Sequence, residues 1–159
     1  MEIIYSTRTY RNATNKRPSI ESNEGPQRKY VQIKAFVVTN PDSTYPITIK
    51  PYKFDISQYG EKPRKKLEFA ITNVSDEDLE VRLVDMPPGM FKLSLPKKVK
   101  AGKTEKGKIE LFDELVTEEF EKSLTIELSD QQKSRFTVPV KRVIRIPGTS
   151  AIKASASGK

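Results

Sequence analysis

The feature that most limits what this chain can become is a period of two. Leu67, Phe69 and Ile71 alternate with Glu68, Ala70 and Thr72, and Leu79, Val81 and Leu83 alternate with Glu80 and Arg82. Phe91, Leu93 and Leu95 repeat the pattern, as do Leu124, Ile126 and Leu128, then Phe136, Val138 and Val140. Successive side chains of an extended strand point to opposite faces, so each run builds a strand with one apolar and one wet face. Polar turns divide the runs at 73–78, at Pro87-Pro88-Gly89, at Lys100-Ala101-Gly102-Lys103 before a strand around Ile109 and Leu111, and at 130–133. Ile47, Ile49, Phe54 and Ile56 surround Pro51, whose missing N–H marks a broken edge strand. About seven short strands with turns every 8 to 12 residues predict an all-β, two-sheet antiparallel sandwich. The helix-permissive stretch 113–122 is short enough to be a loop.

Composition narrows the chemistry. The 159 residues contain no His, no Cys and no Trp. Nucleophile systems built on His, and zinc sites built on imidazole or thiolate, are excluded. No Walker A or GxGxxG loop is present, no apolar run is long enough to span a bilayer, and the start lacks the regions of a signal peptide. The expectation is a chain that is not an enzyme and carries no catalytic residue, cofactor or metal.

Residues 17–38 read as strand, turn, strand, yet little precedes them to complete a sheet. A shift of 106 residues lays Lys16 on Lys122, Ile20 on Ile126 and Tyr30 on Phe136. The final strand then needs a slip of one, with Val31, Ile33 and Ala35 facing Phe136, Val138 and Val140. The expected organisation is the closing hairpin of a truncated preceding domain at 1–38, a linker at 39–45, a complete sandwich at 46–143 and a mostly disordered tail at 144–159. Such exposed N-terminal strands carry an open edge and could pair with another copy.

The run FAITNVSDEDLEVRLVDMPPGMFKLSLPKKVKAGKTEKGKIEL resembles the Ig-like domains of the Hydin and major-sperm-protein type, and most nearly an uncharacterised bacterial branch found in tandem in envelope proteins. The marks are a strand ending in Thr72-Asn73 before a polar turn, the central Pro87-Pro88-Gly89 with a hydrophobe after it, and the 100–103 turn. There Ala101-Gly102 keeps the family's glycine and loses its proline. The first segment's TYRN and SIESNEG resemble the family's closing hairpin. Many bacterial members carry a cysteine pair near 85–90; this chain has none, so no redox or metal role carries over. The resemblance implies an Ig-like sandwich serving as a non-catalytic spacer or interaction module of a larger protein, in a bacterial periplasm or at a cell surface.

The formal net charge is +8, and the densest basic runs are Arg64-Lys65-Lys66 and Lys97, Lys98, Lys100 and Lys103. Neither interleaves aromatics on which bases could stack, so solvated faces are favoured over nucleic-acid binding. Asp76-Glu77-Asp78 with Glu80 lacks the spacing of a calcium loop and reads as a turn. A sharper contrast lies between two loops. Arg8, Arg11, Lys16 and Arg17 make the first segment's loop basic, whereas Asp113, Glu114, Glu118, Glu119 and Glu121, offset by Lys122, make its counterpart acidic. These are the candidate partner-binding residues, through which neighbouring domains or copies would attract one another. The alternative is a glycan- or anion-binding accessory module that presents Tyr45, Tyr52 and Tyr59.

Overall fold

The computed structural model describes residues 10–21, 28–37 and 44–146. The chain divides into two units, Met1–Thr44 and Tyr45–Lys159. Arg8, Val38 and residues 147–159 of the expected tail lie outside the described residues, as do 39–43 of the expected linker.

The first unit contains β1 (Asn12–Lys16), β2 (Ser19–Ile20), β3 (Lys29–Tyr30) and β4 (Ile33–Val37). β1 pairs antiparallel with β4, setting Asn12 opposite Val37 and Lys16 opposite Ile33. β2 and β3 carry the same register onward, with Ile20 opposite Lys29. The Val31 N–H donates to the Pro18 carbonyl at 3.1 Å and joins the two stretches into one hairpin. Val31, Ile33, Ala35 and Val37 form a half-buried row, whereas Gln32, Lys34 and Phe36 are exposed. The apolar–polar alternation of the sequence thus becomes the two faces of a ribbon.

The second unit is an Ig-like antiparallel sandwich. Its strands are β5 (Ile47–Lys50), β6 (Phe54–Asp55), β7 (Gln58–Tyr59), β8 (Lys66–Asn73), β9 (Leu79–Asp85), β10 (Phe91–Ser94), β11 (Lys98–Val99), β12 (Thr104–Leu111), β13 (Phe120–Leu128), β14 (Arg135–Arg142) and β15 (Ile144–Arg145). One sheet has the order β10-β12-β8-β5 and the other β11-β9-β13-β14-β6. The broken strand around Pro51 is found as two edge strands, one in each sheet: β5 pairs with β8, and β6 runs parallel to β14. That parallel ladder continues, because the Ile56, Gln58 and Gly60 amides donate to the carbonyls of Lys141, Val143 and Arg145. The seven expected strands are all present. The first is split at Pro51, and the short β7, β11 and β15 are additional; two-residue strands are too brief to show a period of two. Pairing also runs on to Arg145, past the expected boundary at 143.

The inward rows close one core. Ile47, Ile49, Leu67, Phe69, Ile71, Phe91, Ile109 and Leu111 come from the first sheet, facing Phe54, Leu79, Val81, Leu124, Ile126, Leu128, Val138 and Val140 from the second. Phe54 stacks on Phe69 across the sheets with ring centroids 4.6 Å apart. Gly107 on β12 lies beneath the same Phe69 ring, where a Cβ would sit 2.2 Å from Cζ, so this position is glycine for want of space. Residues 113–122 hold a single 3-10 turn, Asp113–Leu115, then a loop over 116–119 and the start of β13.

The two hairpins can be compared strand by strand. An offset of 106 lays Lys16 on Lys122 and Ile20 on Ile126. Their ladder partners Ile33 and Lys29 then fall on Val140 and Phe136, an offset of 107. The slip of one is therefore opposite in sense to the expected one: Val31, Ile33 and Ala35 correspond to Val138, Val140 and Arg142. The physical reason is that eight residues separate Ile20 from its ladder partner Lys29, whereas nine separate Ile126 from its partner Phe136.

Candidate functional site

The basic candidates belong to the first unit, and what reads as their loop is largely strand. β1 occupies Asn12–Lys16, so Arg11 and Arg17 flank it as exposed residues, and half-buried Lys16 ends it. The Lys16 ammonium lies 4.5 Å from the centroid of the Tyr10 ring, a cation–π contact. The described part of this unit is strongly positive: Arg11, Lys16, Arg17, Arg28, Lys29 and Lys34 stand against Glu21 alone, and Glu21 is paired with Arg28 at 3.1 Å.

The acidic candidates are divided by their surroundings. Asp113 accepts from the Lys65 ammonium at 2.7 Å, and this hydrogen bond holds its carboxyl below the usual range. Glu119 accepts the Ile144 amide at 2.7 Å, tying the loop to β15. Glu121, already within β13, stands 4.0 Å from Lys53. Glu114 and Glu118 are exposed and have no side-chain partner among the described residues. They are the pair left free among the described residues to meet an outside charge, and Phe112, just before them in the chain, is also exposed.

The basic runs are partly neutralised within the sandwich. Lys65 meets Asp113, Lys66 meets Glu110 at 3.1 Å, and Lys98 meets Asp78 at 2.9 Å. The 73–78 segment is held as a turn. Asn73 Nδ2 donates to the Glu77 and Val99 carbonyls at 2.7 and 3.0 Å, and its Oδ1 accepts from the Ser75 amide and hydroxyl. Asp78 is committed to Lys98 and the Ala101 amide. Tyr45, Tyr52 and Tyr59 are 69%, 63% and 67% exposed.

Two polar clusters lie outside the expected sites. Glu127 of β13 is only 6% exposed and sits between Arg82 of β9 and Arg135 of β14, its register neighbours on either side. Arg135 first and then Arg82 hold its carboxyl below the ordinary value through hydrogen bonds. Arg142 ends β14 and is 1% exposed. Its guanidinium donates to the Ile56 and Arg64 carbonyls at 2.8 and 2.9 Å, to Gln58 Oε1 at 3.1 Å and to the Val116 carbonyl. It faces no carboxylate in these contacts, and its Nε has no partner. A signal for it was present in the sequence, since 142 continues the inward row 136, 138, 140. An arginine in such a row either closes a core or enters one.

No family model and no curated protein matches the sequence. Among solved structures the chain is similar to WR4, an MSP family member of C. elegans, at 15% identity and a TM-score of 0.45, over 62% of this chain and 98% of that one. It is similar to SSP-19, an MSP-domain protein like family member of Caenorhabditis elegans, at 11% identity and a TM-score of 0.45, over 60% of this chain and 98% of that one. A protein of unknown function from Porphyromonas gingivalis W83 is similar at 14% identity and a TM-score of 0.43, over 67% of this chain and 51% of that one. The Ig-like β-sandwich stands on the strand pairing of the second unit.

Proposed function

We propose that this chain is a non-catalytic Ig-like module that makes protein–protein contacts within a larger bacterial envelope protein. Its first unit is the closing hairpin of a second sandwich. The observation that carries the reading is the opposition of charge. The basic residues around β1 lie in one unit, and the unpartnered Glu114 and Glu118 lie at an exposed loop of the other. Complementary rim charges of this kind steer neighbouring domains or copies together. Sedimentation velocity of the full chain tests it, run at ionic strengths of about 0.02 and 0.5 M, where screening differs several-fold. Association should weaken with salt and fall further in Glu114→Lys/Glu118→Lys. Association indifferent to both would sink the charged-loop reading.

The exposed Tyr45, Tyr52 and Tyr59 support a second reading, a glycan-binding accessory module. It predicts retardation in gels containing soluble polysaccharide that is lost when the three tyrosines become alanine. Nucleic-acid binding is less well supported, because Lys65, Lys66 and Lys98 are engaged by carboxylates.

A further inference from the structure

The basic runs of the sandwich interleave no aromatics, but one face of the first unit does. Along β3 and β4 the exposed row is Tyr30, Gln32, Lys34 and Phe36, with Tyr30 64% and Phe36 70% exposed. Across the ribbon the ladder sets Ala13 opposite Phe36, Asn15 opposite Lys34 and Ser19 opposite Tyr30, and the same register sets Arg17 opposite Gln32. The half-buried row Val31, Ile33, Ala35 and Val37 lies on the opposite side, so this face points outwards with or without further strands at the ribbon's edges.

The rows stand about 7 Å apart, the length of two residues of extended chain. Each outer row has one aromatic ring opposite a small residue, which leaves the ring clear, and each inner row has one cation opposite one amide. One shallow hollow is lined by Ala13, Asn15, Lys34 and Phe36, with the Thr14–Ala35 pair between those rows; another is lined by Arg17, Tyr30 and Gln32. Shallow hollows in a line suit an extended polymer, whereas a small molecule wants an enclosing cavity. Arg17 and Lys34 have no carboxylate partner among the described residues, and the unit's six described cations against Glu21 alone favour a polyanion. The amides decide which polyanion. Gln32 Nε2 donates to Asn15 Oδ1 at 3.1 Å, which leaves a Gln32 carbonyl acceptor across from Arg17 and Asn15 N–H donors across from Lys34. A phosphodiester offers only anionic oxygens, which a carbonyl oxygen does not bind. A uronic acid offers a carboxylate and hydroxyl groups on one ring, and the C–H face of that ring packs on an aromatic one.

We propose that the outer face of the first unit binds a polyuronate, an acidic polysaccharide whose sugar rings pack on Tyr30 and Phe36. Its carboxylates meet Arg17 and Lys34, and its hydroxyl groups meet Gln32 and Asn15. A second copy does not fit, because two faces of the same charge repel each other. The site stands on the ribbon alone and is independent of Tyr45, Tyr52 and Tyr59 and of the acidic loop.

The probe is a fluorescent oligogalacturonate, titrated with the full chain and followed by anisotropy. Saturable binding is expected, and Arg17→Gln or Lys34→Gln should each weaken it about fivefold, the scale of one exposed ion pair. Tyr30→Ala/Phe36→Ala should weaken it at least as much. Full binding in that double variant would mean adsorption of a polyanion by charge only and would overturn the proposal. Binding lost instead in Tyr45→Ala/Tyr52→Ala/Tyr59→Ala belongs to the sandwich and overturns it as well. Arg17 is also one of the charged-loop residues, so Glu114→Lys/Glu118→Lys should leave polyuronate binding in place; loss there overturns the ribbon as an independent site. An oligothymidylate bound as tightly as the oligogalacturonate gives the face to nucleic acid and overturns the choice of polysaccharide. Amide chemical shifts of the isotope-labelled wild type locate the ligand without any substitution. They should change at 13–19 and 30–36, and changes confined to the second unit overturn the site.

Discussion

Replacing Arg142 sets two large effects against each other. The guanidinium is withdrawn from water and faces no carboxylate in its contacts, so its desolvation, which also pulls its pKa below the ordinary value, costs several kcal/mol. Against this stand four hydrogen bonds to acceptors in separate segments: Ile56 after β6, Gln58 in β7, Arg64 before β8 and Val116 after the 3-10 turn. Three of the acceptors are main-chain carbonyls fixed by their own strands and turns, and they cannot turn to new partners unless those segments move. Each buried acceptor left empty costs about 1 kcal/mol or more. Arg142→Ala adds a cavity and is expected to lose about 3–5 kcal/mol. Arg142→Met fills most of the volume without donors and isolates the hydrogen-bond part, an expected loss of about 2–3 kcal/mol. With a urea slope of about 2 kcal/mol/M for a domain of this size, the midpoints should fall by about 2 M and about 1 M respectively. A methionine variant whose midpoint equals or exceeds that of the wild type would show that desolvation outweighs the four acceptors, and would refute the reasoning.

Other perturbations read different parts of the same fold. Gly107→Ala drives a Cβ into the Phe69 ring, which is itself stacked on Phe54; overpacking of this kind should cost about 1–3 kcal/mol, and an unchanged melting temperature would contradict the packing. Asn73→Ala leaves the buried Val99 carbonyl without its donor and releases the Ser75 turn, an expected loss of about 2–4 kcal/mol by chemical denaturation. Glu127 has a folded pKa below its unfolded value of about 4.3, so its contribution is complete above that pH and disappears as pH falls through the folded value. Melting curves of wild type and Glu127→Gln should therefore stay apart at pH 5–7 and converge in acid; a gap as wide at pH 3 as at pH 7 would remove the Arg82–Glu127–Arg135 cluster from the account.

How much of this was legible beforehand depends on the range of the interaction. Leu67, Phe69 and Ile71 declared their inward face locally, because a period of two is a property of one strand. The 73–78 turn was legible for the same reason, since an Asn side chain bonds to backbone two residues away. The charge contrast between the Arg11–Lys16–Arg17 group and the Glu114–Glu118 group could be counted. Which of its members remain free could not: Asp113 and Glu119 are taken by Lys65 and Ile144, partners 48 and 25 residues distant.

The sequence by itself determined an all-β chain of alternating strands, the break at Pro51 and the absence of His and Cys chemistry. Only the tertiary structure decided that the break sends β5 and β6 to opposite sheets. It also decided that Arg142 is buried among four acceptors. Each of these depends on strands meeting across long stretches of chain. Side-chain alternation fixes which face of a strand is apolar; it carries no record of which strand will lie alongside.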